Sequence, residues 1–370
     1  MASTIRRIAI STGGGDAPGL NAVIRAATLA AINRGWECVG IRDGYNGLLL
    51  PDLYPKGGLI PLTQETVGGI TPLGGTIIGT TNRGNPLKFP VEDADGSVRE
   101  IDITDELLGR FEAHGIDALI SIGGDGSLAI ASVLAKKGLR VIGVPKTIDN
   151  DLDGTVITFG FDTAISFATE AIDRLHSTAD AHGRVMVVEV MGRYAGWIAL
   201  NSGISATADV ILIPEIPYDI EIVAAKIRQT EEAGKKYAIV VVAEGAKPRG
   251  GTQSIVKEKE AGAVERLGGI GDRITREIVA LTGRESRTVV LGHLLRGGTP
   301  STFDRLLALR FGAAAVRALE EGESGIMVAL DPPTVNYVPL EEATRRMKVV
   351  PLDCDTVKTG RDLGVSFGDA

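Results

Sequence analysis

The sequence predicts an α/β protein made of two doubly wound, Rossmann-like lobes. Three observations predict it. Short runs rich in Val and Ile end in glycine or polar turns, as buried parallel strands do. Helical patterns alternate with those runs. The chain has 370 residues, more than the ~100–200 of a usual single core, so two lobes are expected.

In chain order, the strand runs are IRRIAIS at 5–11, DALISIGG at 117–124, RVIGVP at 140–145 and RVMVVEV at 184–190, followed by VILIP at 210–214, YAIVVVAEG at 237–245 and TVVLGH at 288–293. Helical periodicity occupies 20–35, 127–138, 163–180 and 220–236, most of these stretches ending at or near glycine. Residues 251–270 and the stretch around Pro332, Pro333 and Pro339 read as surface segments. No internal repeat is evident.

Composition bounds the function. Hydrophobic residues make up 44% and charged residues 23%, the balance of a globular protein. The start of the chain lacks the apolar region of a signal peptide. No stretch reaches the roughly 18 apolar residues of a membrane helix. Cys38 and Cys354 form no Cys-x-x-Cys pair, so neither a disulfide framework nor a thiolate metal site is expected, and a cytoplasmic setting fits best. A formal charge of −8 disfavours nucleic-acid binding. Anionic ligands must then be met by local arginines.

In open α/β sheets ligands bind at the carboxyl ends of strands, which directs attention to four loops: 11–19, 121–127, 145–151 and 190–196. In the first, Gly13, Gly14 and Gly15 let backbone N–H groups approach a phosphate, or form no more than a tight turn. In the second, Gly123, Gly124, Asp125, Gly126 and Ser127 repeat that logic. Asp125 is either an oxygen ligand for a phosphate-bridging Mg2+ or a helix N-cap.

The third loop, PKTIDND, alternates Thr147, Asp149 and Asp151 along an extended segment, so their side chains can converge. Asp149 is the candidate general base for a sugar hydroxyl, with Asp151 in electrostatic support. The competing reading is an Asx-type turn. Arg83, Arg184, Arg193, Arg287 and Arg296 are either phosphate grips or solvated surface residues. His293 is equally readable as a loop histidine.

Taken together and in this order, GGGDAPGLNA, GGDGS, PKTIDND, EVMGRYAGW and LGHLLRGG closely resemble the phosphofructokinase family. The resemblance implies an active site in the cleft between the lobes. It implies a phosphoryl-donor lobe of residues 1–159 with 294–345 and a fructose 6-phosphate lobe of 160–293 with 346–370. Gly15, Arg83 and Gly124, Asp125, Gly126 and Ser127 resemble the donor site, with Asp125 as the Mg2+ ligand. Lys146, Thr147, Ile148, Asp149, Asp151 and Arg193 resemble the reaction centre. Met191, Gly192, Glu244, His293, Leu294, Leu295 and Arg296 resemble the rest of the sugar-phosphate pocket. Arg184 and Arg287 resemble arginines lent to a neighbouring subunit, which implies a homodimer or homotetramer.

Two family signals divide over the donor. Gly126 leaves room for the α-phosphate of ATP, whereas Lys146 resembles pyrophosphate-dependent, reversible members. ATP is the favoured reading. The positions matching the family's effector pocket carry Leu29, His176 and Ala233 beside Arg25, Lys235 and Lys236, so weak or altered regulation is expected. Sedoheptulose 7-phosphate remains a possible acceptor. NAD and lipid kinases also own a GGDG loop, and a noncatalytic regulatory subunit can keep this fold. A Rossmann oxidoreductase is disfavoured because no G-x-G-x-x-G opens the first helix.

Overall fold

The computed structural model describes residues 5–93, 95–257 and 266–370. Residues 1–4 of the N-terminal reading and 258–265 of the surface segment read at 251–270 lie outside the described residues. Two sheets organise the chain. The larger has seven strands in the order Thr334–Pro339, Ile326–Asp331, Arg140–Pro145, Ala118–Gly123, Arg7–Thr12, Glu37–Ile41 and Leu59–Pro61. The smaller has four, in the order Ser286–Val290, Val185–Val190, Ala238–Ala243 and Val210–Leu212.

The smaller sheet is parallel throughout. In the larger, the five central strands are parallel, but both edges are antiparallel. At the Ile326–Asp331 edge the cause is local: the exposed Pro332 and Pro333 form a turn too short for a crossover, so the chain must return alongside itself. The stretch near the prolines is at the surface, as an edge strand.

Burial on both faces follows the two-residue period of a strand. In Arg7–Thr12, Ile8 and Ile10 join one core and Ala9 joins the core on the opposite face. In the smaller sheet, Val188 and Val241 face one core while Val187 and Val240 face the other. Such residues have no polar face to present, and their strands therefore read as continuous apolar runs.

Helix Leu20–Ile32 packs against Thr302–Glu320, a helix that the sequence reading did not single out. Its start carries a capping residue: the Ser301 side chain accepts a hydrogen bond from Asp304 N at 3.2 Å. The chain's last residues belong with the smaller sheet. Ser366 bridges Val210 in parallel, and Phe367 is fully buried in that core. Among the described residues, no helix is long and apolar enough to cross a membrane.

Candidate active site

Glycine conformations shape the donor end. Strand Arg7–Thr12 ends in a turn in which Gly14 takes φ +79°, a left-handed conformation that suits glycine. Gly13 N donates to Ile122 O at 3.0 Å and Gly14 N to Thr81 O at 3.0 Å, so this loop is tied to strand Ala118–Gly123 and to the loop before Arg83.

Strand Ala118–Gly123 runs straight into helix Asp125–Lys136. Gly124 is the N-cap and Asp125 the first helical residue, so the N-cap reading of Asp125 is corrected: its carboxylate is exposed in the first turn and caps nothing. The unpaired N–H groups and partial positive charge of a helix start favour an anion there. A side chain at Gly126 would meet nothing within 4 Å.

In the loop after Arg140–Pro145 the turn and the carboxylates fall on different residues. Asn150, at φ +52°, makes the turn, and its Oδ1 accepts from Thr158 N at 3.1 Å. Asp149 and Asp151 on either side are thereby released to line one cavity. Thr147 Oγ1 accepts from Asp149 N at 3.0 Å, and its hydroxyl also bonds the Asp151 carboxylate. Asp149 Oδ1 is out of solvent contact and has no hydrogen-bond partner.

The electrostatics follow from burial. Burial pushes the Asp149 carboxyl up to about 7, helped by the charges of Asp151 and Glu244 and opposed by Arg296 and Lys146. Asp151 is also raised, by burial and then by Asp125, against the Thr147 bond and Lys146. Burial pulls the Lys146 ammonium down to about 8, aided by Arg296 and opposed by Asp151, Asp16 and Asp149. Lys146 Nζ donates to the carbonyl of Gly15, which joins the first and third loops.

These groups surround a cavity of about 360 Å³. Of the residues singled out from the sequence, Gly15, Arg83, Gly124, Asp125, Gly126, Ser127, Lys146, Thr147, Asp149, Asp151 and Arg296 line it. Arg296 reaches it from the turn Gly292–Arg296, its Nη1 donating to Asp16 O at 3.2 Å. The sequence reading missed Tyr45, Thr81, Asn82 and Asn85 on the same walls. Asn82 and Asn85 flank Arg83 in TTNRGNP, whose two asparagines beside a glycine were the available signal.

The remaining candidates are placed elsewhere. Met191, Gly192 and Arg193 follow strand Val185–Val190, with Arg193 beside the ring of Tyr194 at 5.8 Å. Glu244 ends strand Ala238–Ala243, and Arg193 and Arg296 offset the rise that burial imposes on its carboxyl. His293 and Leu294 are exposed in the turn before Arg296. Ile148 and Leu295 point their side chains into the core of the smaller sheet, so they anchor the loops that carry Asp149 and Arg296. Arg184 and Arg287 stand away from the cavity, both paired with Glu285, at 3.0 and 2.5 Å.

Comparison with known proteins gives one consistent result. The family model described as phosphofructokinase matches residues 7–319. The "ATP-dependent 6-phosphofructokinase" of Chloroflexus aurantiacus is 51% identical over 372 residues, spanning 100% of this chain and 99% of that one. The "Pyrophosphate--fructose 6-phosphate 1-phosphotransferase" of Amycolatopsis mediterranei is 49% identical over 350 residues, spanning 94% of this chain and 97% of that one. The crystal structure of Pichia pastoris phosphofructokinase in the T-state superposes with a TM-score of 0.77 at 30% identity, covering 98% of this chain and 37% of that one. With the glycine loops, PKTIDND and Arg296 assembled on one cavity and the match spanning both sheets, the chain belongs to the phosphofructokinase family.

Proposed function

We propose that this chain is a 6-phosphofructokinase that transfers the terminal phosphoryl group of ATP to the 1-hydroxyl of fructose 6-phosphate, giving fructose 1,6-bisphosphate. The observation that carries the reading is the unpartnered Asp149 Oδ1, held out of solvent on the wall of the phosphate cavity. A carboxyl raised to about 7 is a competent base at neutral pH: enough is ionised, and it holds a proton better than an ordinary aspartate. It accepts the hydroxyl proton as that oxygen attacks phosphorus in line. The glycine loops hold the donor, and Lys146 and Arg296 beside Asp149 offset the charge where phosphorus is transferred.

Mg2+ fits the donor set. Among the described residues no three His, Cys, Asp or Glu form a metal cage, and Mg2+ characteristically takes one or two carboxylates and completes its shell with water and substrate phosphates. Asp125, exposed on the wall of the cavity, would hold it. When bound, it supplies charge neutralisation at the phosphates.

The donor is assigned on Gly126. Overall similarity does not divide the two donors, since relatives named for ATP and for pyrophosphate are 51% and 49% identical. A Cβ added at Gly126 would meet no atom within 4 Å, which supports room there for the α-phosphate of a nucleotide. Lys146 supports the second reading, a pyrophosphate-dependent and reversible enzyme, and serves either donor from its position at Gly15 O. Initial rates with fructose 6-phosphate and Mg2+, with ATP in one series and pyrophosphate in the other, decide between them. ATP-dependent turnover is expected. Turnover with pyrophosphate alone would transfer the assignment, and turnover with neither would revive the noncatalytic reading.

The enzyme acts in the cytoplasm as a homodimer or homotetramer in which Arg184 and Arg287 serve a neighbouring site. Their shared tether to Glu285 supports this, because it leaves both guanidinium groups outside this chain's own cavity. Regulation by an effector phosphate is weak. Lys235 is engaged by Asp209 at 2.7 Å, and His176 bonds Ala206 O and the Tyr237 hydroxyl, so two residues of the matching positions serve internal contacts.

A further inference from the structure

Residues 347–350, far along the chain from every motif above, cross both halves of the site. Met347 bridges Leu152, and Lys348 N donates to Asp151 O at 2.9 Å. The Lys348 ammonium then donates to Asn150 Oδ1 at 3.1 Å, Thr155 O at 3.0 Å and Val156 O at 2.7 Å. An ammonium has three protons, and these acceptors use all of them, so none is left for a ligand. Facing the other way, Lys348 O accepts from Trp197 Nε1 at 3.0 Å. Val350 N donates to Glu215 Oε1 at 2.8 Å, and the same carboxylate receives Gly196 N at 3.0 Å. Gly196 and Trp197 close the loop that carries Arg193.

The contact with Asn150 matters most. Asn150 sits in a left-handed conformation between Asp149 and Asp151, and its side chain is held from two sides, by Thr158 N and by Lys348. In a plain extended segment, residues two apart already share a side, but nothing would fix their direction. Here the turn is over-determined, and the direction of both carboxylates follows from it.

We infer that Lys348 is a positioning residue for the transfer step: it locks the turn at Asn150 that presents Asp149 to the cavity, and through Trp197 and Glu215 its strap ties that turn to the Arg193 loop. The inference rests on the reading of Asp149 as the base. Lys348 does not touch the reacting atoms. Replacing its side chain therefore moves turnover more than affinity, because only the ammonium's contacts at Asn150, Thr155 and Val156 are lost while the backbone bonds that hold the Arg193 loop stay in place.

The test compares Lys348→Met, Asn150→Gly and the double variant, with Asp149→Asn as reference. Glycine accepts the left-handed conformation, so Asn150→Gly removes the side-chain bond with little backbone strain. Lys348→Met is expected to lower kcat by about 10- to 100-fold, as loss of support to a reacting group does. KM for both substrates is expected to stay within about threefold. The double variant is expected to be no slower than the slower single variant, since the bond between Lys348 and Asn150 is common to both substitutions and is the one that acts on Asp149. A folded Lys348→Met enzyme with near-normal kcat overturns the inference, and so do losses that multiply in the double variant. If Lys348→Met fails to fold, Asn150→Gly alone decides: reduced kcat with unchanged KM supports the lock, and full kcat overturns it. Activity in Asp149→Asn would instead overturn the base, which separates the two failures.

Discussion

The two ends of the cavity are made of different material. At the donor end the working groups are backbone N–H groups of glycine turns and a helix start, with Asp125 and Gly126 exposed. At the proposed acceptor end they are charged side chains in a crowded, poorly solvated cluster, where burial raises the carboxyls of Asp149, Asp151 and Glu244 and lowers the ammonium of Lys146, with Arg296 opposing the rise at Asp149 and Glu244. A phosphate brings its own charge and needs only donors in fixed positions. A sugar hydroxyl brings none, so the protein must supply a base whose proton affinity is set by burial. Damage at the donor end should thus appear as lost affinity or altered donor choice. Damage at the acceptor end should appear as lost turnover and a displaced pH profile.

The sharpest test of that contrast is Asp149→Asn. It is expected to lower kcat by at least ~100-fold, the usual range for loss of a general base, without lowering the thermal midpoint. The folded state already disfavours the ionised carboxylate, so a neutral amide relieves a penalty. Assays under saturating substrates together with thermal melts check both halves, and a fully active folded variant would break the comparison.

A smaller effect is expected from Gly126→Asp at the donor end. Its side chain enters open space, so folding is undisturbed. Like charges about 4 Å apart repel by roughly 1–4 kcal/mol, which corresponds to a loss of about one to three powers of ten in kcat/KM for ATP. Pyrophosphate, lacking an α-phosphate, should lose less, and equal losses with both donors would remove Gly126 from donor choice.

The pH profile sharpens the acceptor end. As the proposed base, Asp149 must be ionised to accept a proton, so kcat/KM should rise with pH through about 7. Asp149 and Asp151 titrate as a pair, and the limb belongs to both. Replacing Asp151 by Asn removes a neighbouring negative charge, which makes Asp149 easier to ionise, so the acid limb of the remaining activity should move to lower pH. A shift to higher pH would contradict the charge balance described above.

The smallest effect is expected outside both ends. Lys235→Ala breaks a half-buried pair with Asp209, a loss of about 1 kcal/mol or less for such pairs. Turnover and the response to ADP should be unchanged. A changed ADP response would mean that Lys235 serves an effector after all.

Much of the donor end was legible in the sequence because its information is local. Gly13, Gly14 and Gly15, and Gly124 with Gly126, follow apolar runs and precede helical ones, and backbone geometry depends on a few adjacent residues. The acceptor end was legible only as residue types. PKTIDND offers both a base and a turn, and Asn150 makes the turn through Thr158 and Lys348, of which Lys348 is 198 residues away. Pro332 and Pro333 marked a surface turn, but the antiparallel edge strand after them needed the neighbouring strand as a template.

By itself, the sequence determined the alternating strand and helix pattern, the glycine turns at the strand ends, and the carboxylates, lysine and arginines available to them. These depend on periodicity and on conformational freedom at single residues. The tertiary structure alone decided that Arg296 joins Gly15, that Asp149 loses its solvent while keeping an unpaired oxygen, and that Lys348 holds the turn between the two carboxylates. Those properties are set by burial and by partners distant along the chain, and they come into existence only when the two sheets pack together.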